Sequence, residues 1–275
     1  MNTCMKKSIV FIACLLIAVI CVQAQYSSDT LNQLDAKGLK QGYWKKYSGD
    51  TLKYEGRFEH GVPVGKFVYY YFDGKVKSES IYSDNGKNSS TIMFFPEGAK
   101  LSEGKFINQK REGIWITYDG YDAVISEVEY KNGQKWGLSK RFYQTGELLE
   151  TVQFINGWMD GQYLQYFPDS ILKIKGTYAN TKRNGTWAFY HGNGTVYMSG
   201  QYVDGIRQGD WVINDEAGKI IVRENIKDGK VVSREVFQKD KDPLELNKKD
   251  SQLDIENRGK TSTDNGIGDP LYDMY

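Results

Sequence analysis

Few side chains in this sequence are equipped for bond-making chemistry. Its 275 residues contain two histidines, His60 and His191, and three cysteines, Cys4, Cys14 and Cys21. Two histidines in unlike turn or strand contexts give little for a His-rich metal site. His191 follows Tyr190 near Gly192-Asn193-Gly194, and His60 precedes Gly61; each reads as a solvated turn residue. No Gly-x-Ser-x-Gly, His-Glu-x-x-His or Gly-x4-Gly-Lys-Ser/Thr pattern occurs, so the common nucleophile, zinc and phosphate signatures are missing. Carboxylates are plentiful, yet no two stand out as the acid pair a glycosidase would need. The sequence therefore predicts no catalytic residues, no metal site and no cofactor.

The cysteines also report on compartment. All three precede residue 22. Lys6 and Lys7 precede Ser8–Val22, where 14 of 15 residues are apolar. A membrane-spanning helix needs roughly 20 such residues. The basic flank, the short apolar run and Val22-Gln23-Ala24 before Gln25 predict a secretory signal peptide over residues 1–24. A retained N-terminal anchor is the alternative. Cleavage would leave a chain without disulfides, free thiols or thiolate ligands, placed in the periplasm, at the envelope or outside the cell. The net charge is +1; without Lys6 and Lys7, 34 basic residues face 35 acidic ones. Neither balance suits a nucleic-acid binder.

The elements that position everything else repeat. Gly42, Gly65, Ser89, Gly113, Gly137, Gly161, Gly185 and Gly209 recur at steps of 24, the first step being 23. Two residues after them stand Trp44, Phe67, Thr91, Trp115, Ser139, Tyr163, Trp187 and Trp211. Five after stand Tyr47, Tyr70, Phe94, Tyr118, Phe142, Tyr166, Tyr190 and Asn214. Near position seventeen stand Phe58, Tyr82, Phe106, Tyr130, Phe154, Tyr178, Tyr202 and Ile226. Of 38 aromatic residues, 33 lie between Gly42 and Val232, which excludes a wholly disordered chain.

Each repeat reads as a β-hairpin. Gly185–Tyr190 is one strand, Asn193-Gly194 a turn, and Thr195–Tyr202 the second strand, with Val196, Met198, Gly200 and Tyr202 on one face. Gly56, Gly104, Gly176 and Gly200 recur inside the second strand. Glycine there marks close approach, here of a ring. The aromatics at positions two and five cannot share a face of a regular strand, so a bulge or turn must intervene. No hairpin can bury its aromatic face alone, and stacked neighbours can. The predicted fold is all-β: an elongated antiparallel meander of about eight stacked 24-residue hairpins, about 16 strands in all. The predicted organisation is a signal peptide at 1–24, an N-terminal cap or linker at 25–41, the array at 42–238 and a polar, disordered tail at 239–275.

The stretch Gly185–Gly209 resembles the bacterial variant of the MORN (membrane occupation and recognition nexus) repeat, and the resemblance covers about residues 42–232. Repeats 1, 6 and 7 fit best; Thr91, Ser139 and Asn214 depart from the pattern. The resemblance implies a single-layer sheet of hairpins and a scaffolding or binding role, sometimes with phospholipid. It also points to YwqK-type antitoxin-like proteins. A fold signature of this kind is weak evidence of function.

Two residue sets are candidate sites. Lys87, Arg111, Lys135, Arg183 and Arg207 recur two residues before an anchor. They read either as an anion-binding row, for lipid or glycan, or as solvated turn cations that discourage edge aggregation. Trp136, Trp158 and Tyr121 fall in turns, and Tyr71, Phe95, Tyr143 and Phe167 follow the repeating aromatic. They read either as a partner-binding surface or as cover for the second face. The functional expectation is an exported, non-enzymatic scaffold for a protein or envelope component. The alternatives are an antitoxin-like neutraliser and an anionic-lipid or glycan binder.

Overall fold

A computed structural model describes residues 30–238; the predicted signal peptide and polar tail lie outside them. The described residues form 19 strands and no helix. They fall into two units, one reaching Gly137 and including Gln144–Gly146, the other made of Leu138–Tyr143 and the chain from Glu147. The N-terminal unit holds β1 (Gln33–Leu34), β2 (Lys40–Ser48), β3 (Thr51–Glu59), β4 (Val62–Tyr70), β5 (Val76–Ser83), β6 (Asn88–Phe94), β7 (Lys100–Ile107), β8 (Lys110–Tyr118), β9 (Val124–Lys131) and β10 (Gln134–Lys135). The C-terminal unit holds β11 (Gly137–Phe142), β12 (Leu148–Ile155), β13 (Trp158–Tyr166), β14 (Leu172–Ala179), β15 (Lys182–Tyr190), β16 (Val196–Val203), β17 (Ile206–Asn214), β18 (Ile220–Lys227) and β19 (Lys230–Val236).

Within each unit the sheet is an antiparallel meander. From β1 to β10 and from β12 to β19 each strand pairs with the next in sequence. The predicted 16 strands are the paired strands of eight repeats. The excess comes from β1, from a first strand split into β10 and β11, and from β19, which opens a ninth repeat.

Turn chemistry follows the sequence. Between repeats, Asp204-Gly205 has φ of 51° and 86°, a two-residue hairpin whose left-handed geometry matches strand twist. Asn180-Thr181 adopts the same form, with φ of 49° and 67°. A β-branched residue there is unusual, and Thr181 is held twice: its N–H donates to the Met159 carbonyl (2.7 Å), and its Oγ1 accepts the Met159 N–H (3.2 Å). Within a repeat, Asn193 is not itself left-handed. The turn spans three residues, ending on Gly194 at φ 83°, while Asn193 Oδ1 accepts the Thr195 N–H at 3.0 Å.

The core sits on one face of the sheet. In the C-terminal unit it comprises Ile174, Trp187, Phe189, Met198, Tyr202, Trp211, Ile213, Ile221, Val222 and Ile226, all buried. In the N-terminal unit Phe58, Phe67, Met93, Phe106 and Trp115 are buried, along with Ser78, Ser80, Ser89, Thr91 and Ser102.

Candidate functional site: the ring ladder and the turn edges

The anchor glycines place the rings. Gly185 and Gly209 have φ of 72° and 67° inside strands β15 and β17, a conformation open to glycine at little cost. In the β16–β17 ladder Ser199 pairs with Val212 and Gln201 with Gln208. Gly200 alone thus faces Gly209, Asp210 and Trp211. This bulge lays the indole flat on Gly200: a Cβ there would lie 2.1 Å from Trp211 Cδ2. The same notch recurs at Gly56 under Phe67, Gly104 under Trp115 and Gly176 under Trp187, with Cβ-to-ring distances of 2.5, 2.4 and 2.2 Å. The expected close approach at these glycines is therefore a ring from the following repeat.

The ring at position seventeen fits edge-on between successive flat rings. Tyr202 meets Trp187 at 5.9 Å and 74°, and Trp211 at 5.1 Å and 87°. Tyr178 lies likewise between Tyr163 and Trp187, and Phe58 between Trp44 and Phe67. Edge-to-face contacts place the positive ring edge against the negative ring face, worth about 0.5–1.5 kcal/mol beyond area burial. Two indole N–H groups donate to strand carbonyls, Trp115 to Lys105 at 3.1 Å and Trp187 to Thr177 at 3.2 Å, whereas the buried Trp211 Nε1 has no hydrogen-bond partner among the described residues.

A second bulge precedes position five, between Thr117 and Tyr118 for example, and turns that aromatic to the other face. There the Tyr118 hydroxyl donates to Glu103 Oε1 at 2.6 Å, while Lys100 Nζ reaches Oε2 at 3.2 Å. Tyr70, Glu55 and Lys45 repeat this arrangement. Burial, with the bond to Glu103, pushes the Tyr118 hydroxyl up to about 12. Burial and Glu55 do the same to Tyr43, also to about 12. The Tyr118 bond, aided by Lys100, holds Glu103 below the ordinary carboxylate range. Burial would raise Glu55, but the bonds from Tyr70, Lys45 and Tyr43 outweigh it and lower the group. Each carboxylate is thus held ionised between a cation and a phenol.

The β5–β6 junction departs from the ring pattern. Here Ser89 replaces the anchor glycine, Thr91 the ring and Ser80 the notch glycine. The pairing there is unbroken from Ser78↔Met93 to Ser83↔Asn88. Ser80 Oγ and Thr91 Oγ1 bond at 2.8 Å where a ring would lie on glycine. This junction lacks bulge, ring and notch glycine together, whereas β12–β13 keeps the bulge and the ring of Tyr163 opposite Val152.

The basic set does not form a row of exposed charges. Arg111, Arg183 and Arg207 are half-buried and lie over Trp115, Trp187 and Trp211 at 4.7, 4.6 and 4.0 Å. Arg111 and Arg183 also donate to the hydroxyls of Tyr130 (3.3 Å) and Tyr202 (3.2 Å). Their guanidinium planes serve the ladder through cation–π contact. Lys135 is half-buried and Lys87 exposed. Lys40 belongs to this set: it stands two residues before Gly42, donates to the Tyr54 hydroxyl (2.6 Å) and lies 4.6 Å from the Phe58 ring centre. Its phase was legible, but a series begun after the first anchor omits it.

The aromatic set divides. Tyr71, Phe95, Tyr143 and Phe167 are half-buried and start the turns within repeats. The Tyr71 hydroxyl donates to the Phe94 carbonyl (2.6 Å) and that of Tyr143 to the Tyr166 carbonyl (2.7 Å), each in the next repeat. At the same phase His191 Nε2 lies 3.1 Å from the Asn214 carbonyl. The Phe95 ring lies beside Gly120, and Lys173 Nζ lies 5.4 Å from the Phe167 ring centre. These residues stitch turn to turn. Trp136 is half-buried with Lys131 Nζ 4.8 Å from its ring centre. Trp158 and Tyr121 are 60% and 86% exposed. Phe72, unremarked in the sequence, is 83% exposed. Its signal was position: the matching residues are Pro96, Gly120, Gln144, Pro168, Gly192 and Glu216.

His60 is also engaged, its Nδ1 lying 2.8 Å from Asp35 Oδ2. Asp35 further accepts the N–H groups of Lys37 and Leu39; the His60 bond, with these, lowers its carboxyl from the ordinary value. An open depression beside His191 is lined by Tyr197, Asn214, Asp215 and Ile221. Among the described residues no group of three or more His, Cys, Asp or Glu side chains is placed to hold a metal ion, and no helix is long and apolar enough to cross a membrane.

No curated protein matches the chain. Among solved structures, crystal structures of TcdB2-TccC3-TEV, TcdB2-TccC3-Cdc42 and TcdB2-TccC3 are similar at 14%, 12% and 12% identity. The likeness covers 76%, 74% and 74% of this chain but only 14%, 15% and 15% of theirs, with a TM-score of 0.19 each. The model of the MORN repeat variant matches residues 63–87, 137–156 and 159–180. Each stretch contains one hairpin repeat with its anchor, at Gly65, Gly137 or Gly161. Bulged strand and recurring hairpin are thus the anatomy of these stretches, and the chain carries repeats of the MORN variant there.

Proposed function

We propose that this protein is an exported, non-enzymatic scaffold that binds a protein or another envelope component through aromatic side chains its own packing does not use. The carrying observation is the exposure of Trp158, Tyr121 and Phe72 at positions the fold fills with ordinary residues. Val62, Gly86, Lys110, Gln134, Lys182 and Ile206 match Trp158; Asp73, Glu97, Thr145, Asp169, Asn193 and Ala217 match Tyr121. A tryptophan left in water forgoes roughly 1.5–3 kcal/mol of burial, and interface hot spots are enriched in Trp and Tyr. Both histidines are tied into turn contacts, which supports a binding rather than a catalytic role. Export rests on Lys6, Lys7 and the apolar run Ile9–Val22.

The test is capture from the native envelope fraction by the purified protein, compared with Trp158→Ala, Tyr121→Ala and Phe72→Ala. A component retained by the wild type and lost with one variant supports the proposal. Equal capture by all four proteins overturns the assignment of these side chains. Binding only to anionic vesicles, weakening with salt, would favour the lipid alternative.

A further inference from the structure

The ring ladder must stop, and the strand pair that stops it differs from those before it. Position fifteen of each repeat is the notch: Gly56, Gly104, Gly176 and Gly200 each receive a ring from the next repeat, while Ser80, Val128 and Val152 hold that place, uncharged, in the other interior repeats. In the last complete repeat the notch position is Glu224, 1% exposed. It pairs across the ladder with Trp211 on one side and Arg234 on the other. Arg234 Nε donates to Glu224 Oε1 at 3.2 Å. β19 opens a ninth repeat with Ser233 in the anchor position and Glu235 where a ring would stand. Its pairing runs Asn225↔Ser233, Glu224↔Arg234, Arg223↔Glu235, without the wide bulge that lowers a ring onto its notch. On the opposite face Arg223 and Glu235 lie 4.0 Å apart. The last strand pair thus carries an ion pair on each face.

We propose that Glu224 and Arg234 are the terminating cap of the ring stack. The carboxylate fills the notch, so this end of the ladder refuses a further ring-bearing hairpin, including one from a second copy of the chain. The need is physical. β19 is exposed along its whole length, with Val231 and Val232 50% and 59% exposed. An apolar edge of this kind invites another strand. A repeat array grows by nearest-neighbour stacking and needs a polar end to stay soluble. An inward-pointing charge beneath the edge is one way natural sheets prevent such growth.

The experiment compares the full chain with Glu224→Gly, Glu224→Gln and the triple variant Glu224→Gly/Ser233→Gly/Glu235→Trp. Sedimentation velocity over a concentration series reads association, and thermal melting reads stability. Glu224→Gln keeps the notch filled and should match the wild type in association. Glu224→Gly empties it and should gain concentration-dependent association. The triple variant supplies bulge and ring in cis, so it should lose that association and melt above Glu224→Gly. If Glu224→Gly is too unstable to sediment as a folded chain, the melting order of the triple and single variants decides. A triple variant no more stable than Glu224→Gly would overturn the proposal. So would equal association in Glu224→Gln and Glu224→Gly.

Discussion

Gly200→Ala should be among the most damaging single-methyl substitutions in the C-terminal unit. The added carbon would sit 2.1 Å from Trp211 Cδ2, 2.2 Å from Cε2 and 2.5 Å from Cγ. Carbon atoms at rest lie about 3.5–4.0 Å apart, so the indole must retreat by about 1.5 Å. It has nowhere to go, being 0% exposed, with Tyr202 edge-on at 5.1 Å and Arg207 at 4.0 Å. Overpacking of this kind costs about 1–3 kcal/mol, and a ring hemmed on all sides belongs at the upper end. At roughly 2–4 °C per kcal/mol for a chain of this size, the melting transition should fall by about 6–12 °C. The transition is best followed by Trp fluorescence together with hydrogen exchange in β16 and β17, because repeat arrays can unfold locally. Gly192→Ala is the control: an added Cβ there meets nothing within 4 Å, and the change should be neutral or slightly stabilising. In a Trp211→Ala background, itself costing about 3–5 kcal/mol, Gly200→Ala should add nothing. Equal effects of Gly200→Ala and Gly192→Ala, or full additivity with Trp211→Ala, would refute the notch mechanism.

Thr91→Trp alone should destabilise the N-terminal unit, because Ser80 fills the notch. The combination Ser80→Gly/Ser89→Gly/Thr91→Trp should melt higher than the single variant, and urea unfolding would rank them. Arg183→Ala should cost about 1–2 kcal/mol through the lost contact with Trp187. That loss should persist at 1 M salt, where an exposed charge pair would be screened. Tyr43 and Tyr118, with hydroxyls raised to about 12, keep their protons where an unfolded tyrosine loses its own near 10. From pH 10 to about 12 the unfolded state therefore binds fewer protons, so stability falls with rising pH across that window. Absorbance at 295 nm should show a late-ionising set of tyrosines, reduced in Tyr118→Phe; titration of every tyrosine near 10 would contradict the assignment.

The fold was legible because each repeat restates it. Position-two rings, strand glycines and turn residues recur at one period, and a face shared by Met198, Gly200 and Tyr202 followed from alternation alone. The bulges could not be placed, since a bulge is a property of two paired strands and the sequence shows one at a time. The signal was nevertheless present. Gly56 precedes Phe67, Gly104 precedes Trp115, Gly176 precedes Trp187, and Gly200 precedes Trp211, whereas Ser80 precedes Thr91. The correspondence is incomplete, since Val152 precedes the ring of Tyr163. The ring contacts of the arginines were hidden for a related reason: two residues before an anchor is a turn position in the sequence, but the anchor bulge turns Arg183 and Arg207 back over the indoles four residues on.

Regularity and information about binding are opposed in an array of this kind. A residue that recurs at every repeat is explained by the stack: Trp187 lies on Gly176, Tyr202 wedges between two indoles, and Tyr143 ties one turn to the next. Deleting any of them would be felt as lost stability before it was felt as lost binding. The departures need separate accounts, and they are of two kinds. Ser80, Ser89 and Thr91 depart together and satisfy one another, so they replace one junction chemistry with another and leave nothing over. Trp158, Tyr121 and Phe72 depart singly, with no compensating change beneath them, and remain largely in water. A side chain that the stack neither needs nor covers is where a partner would gain most from contact, because its burial is free energy that folding has left unused.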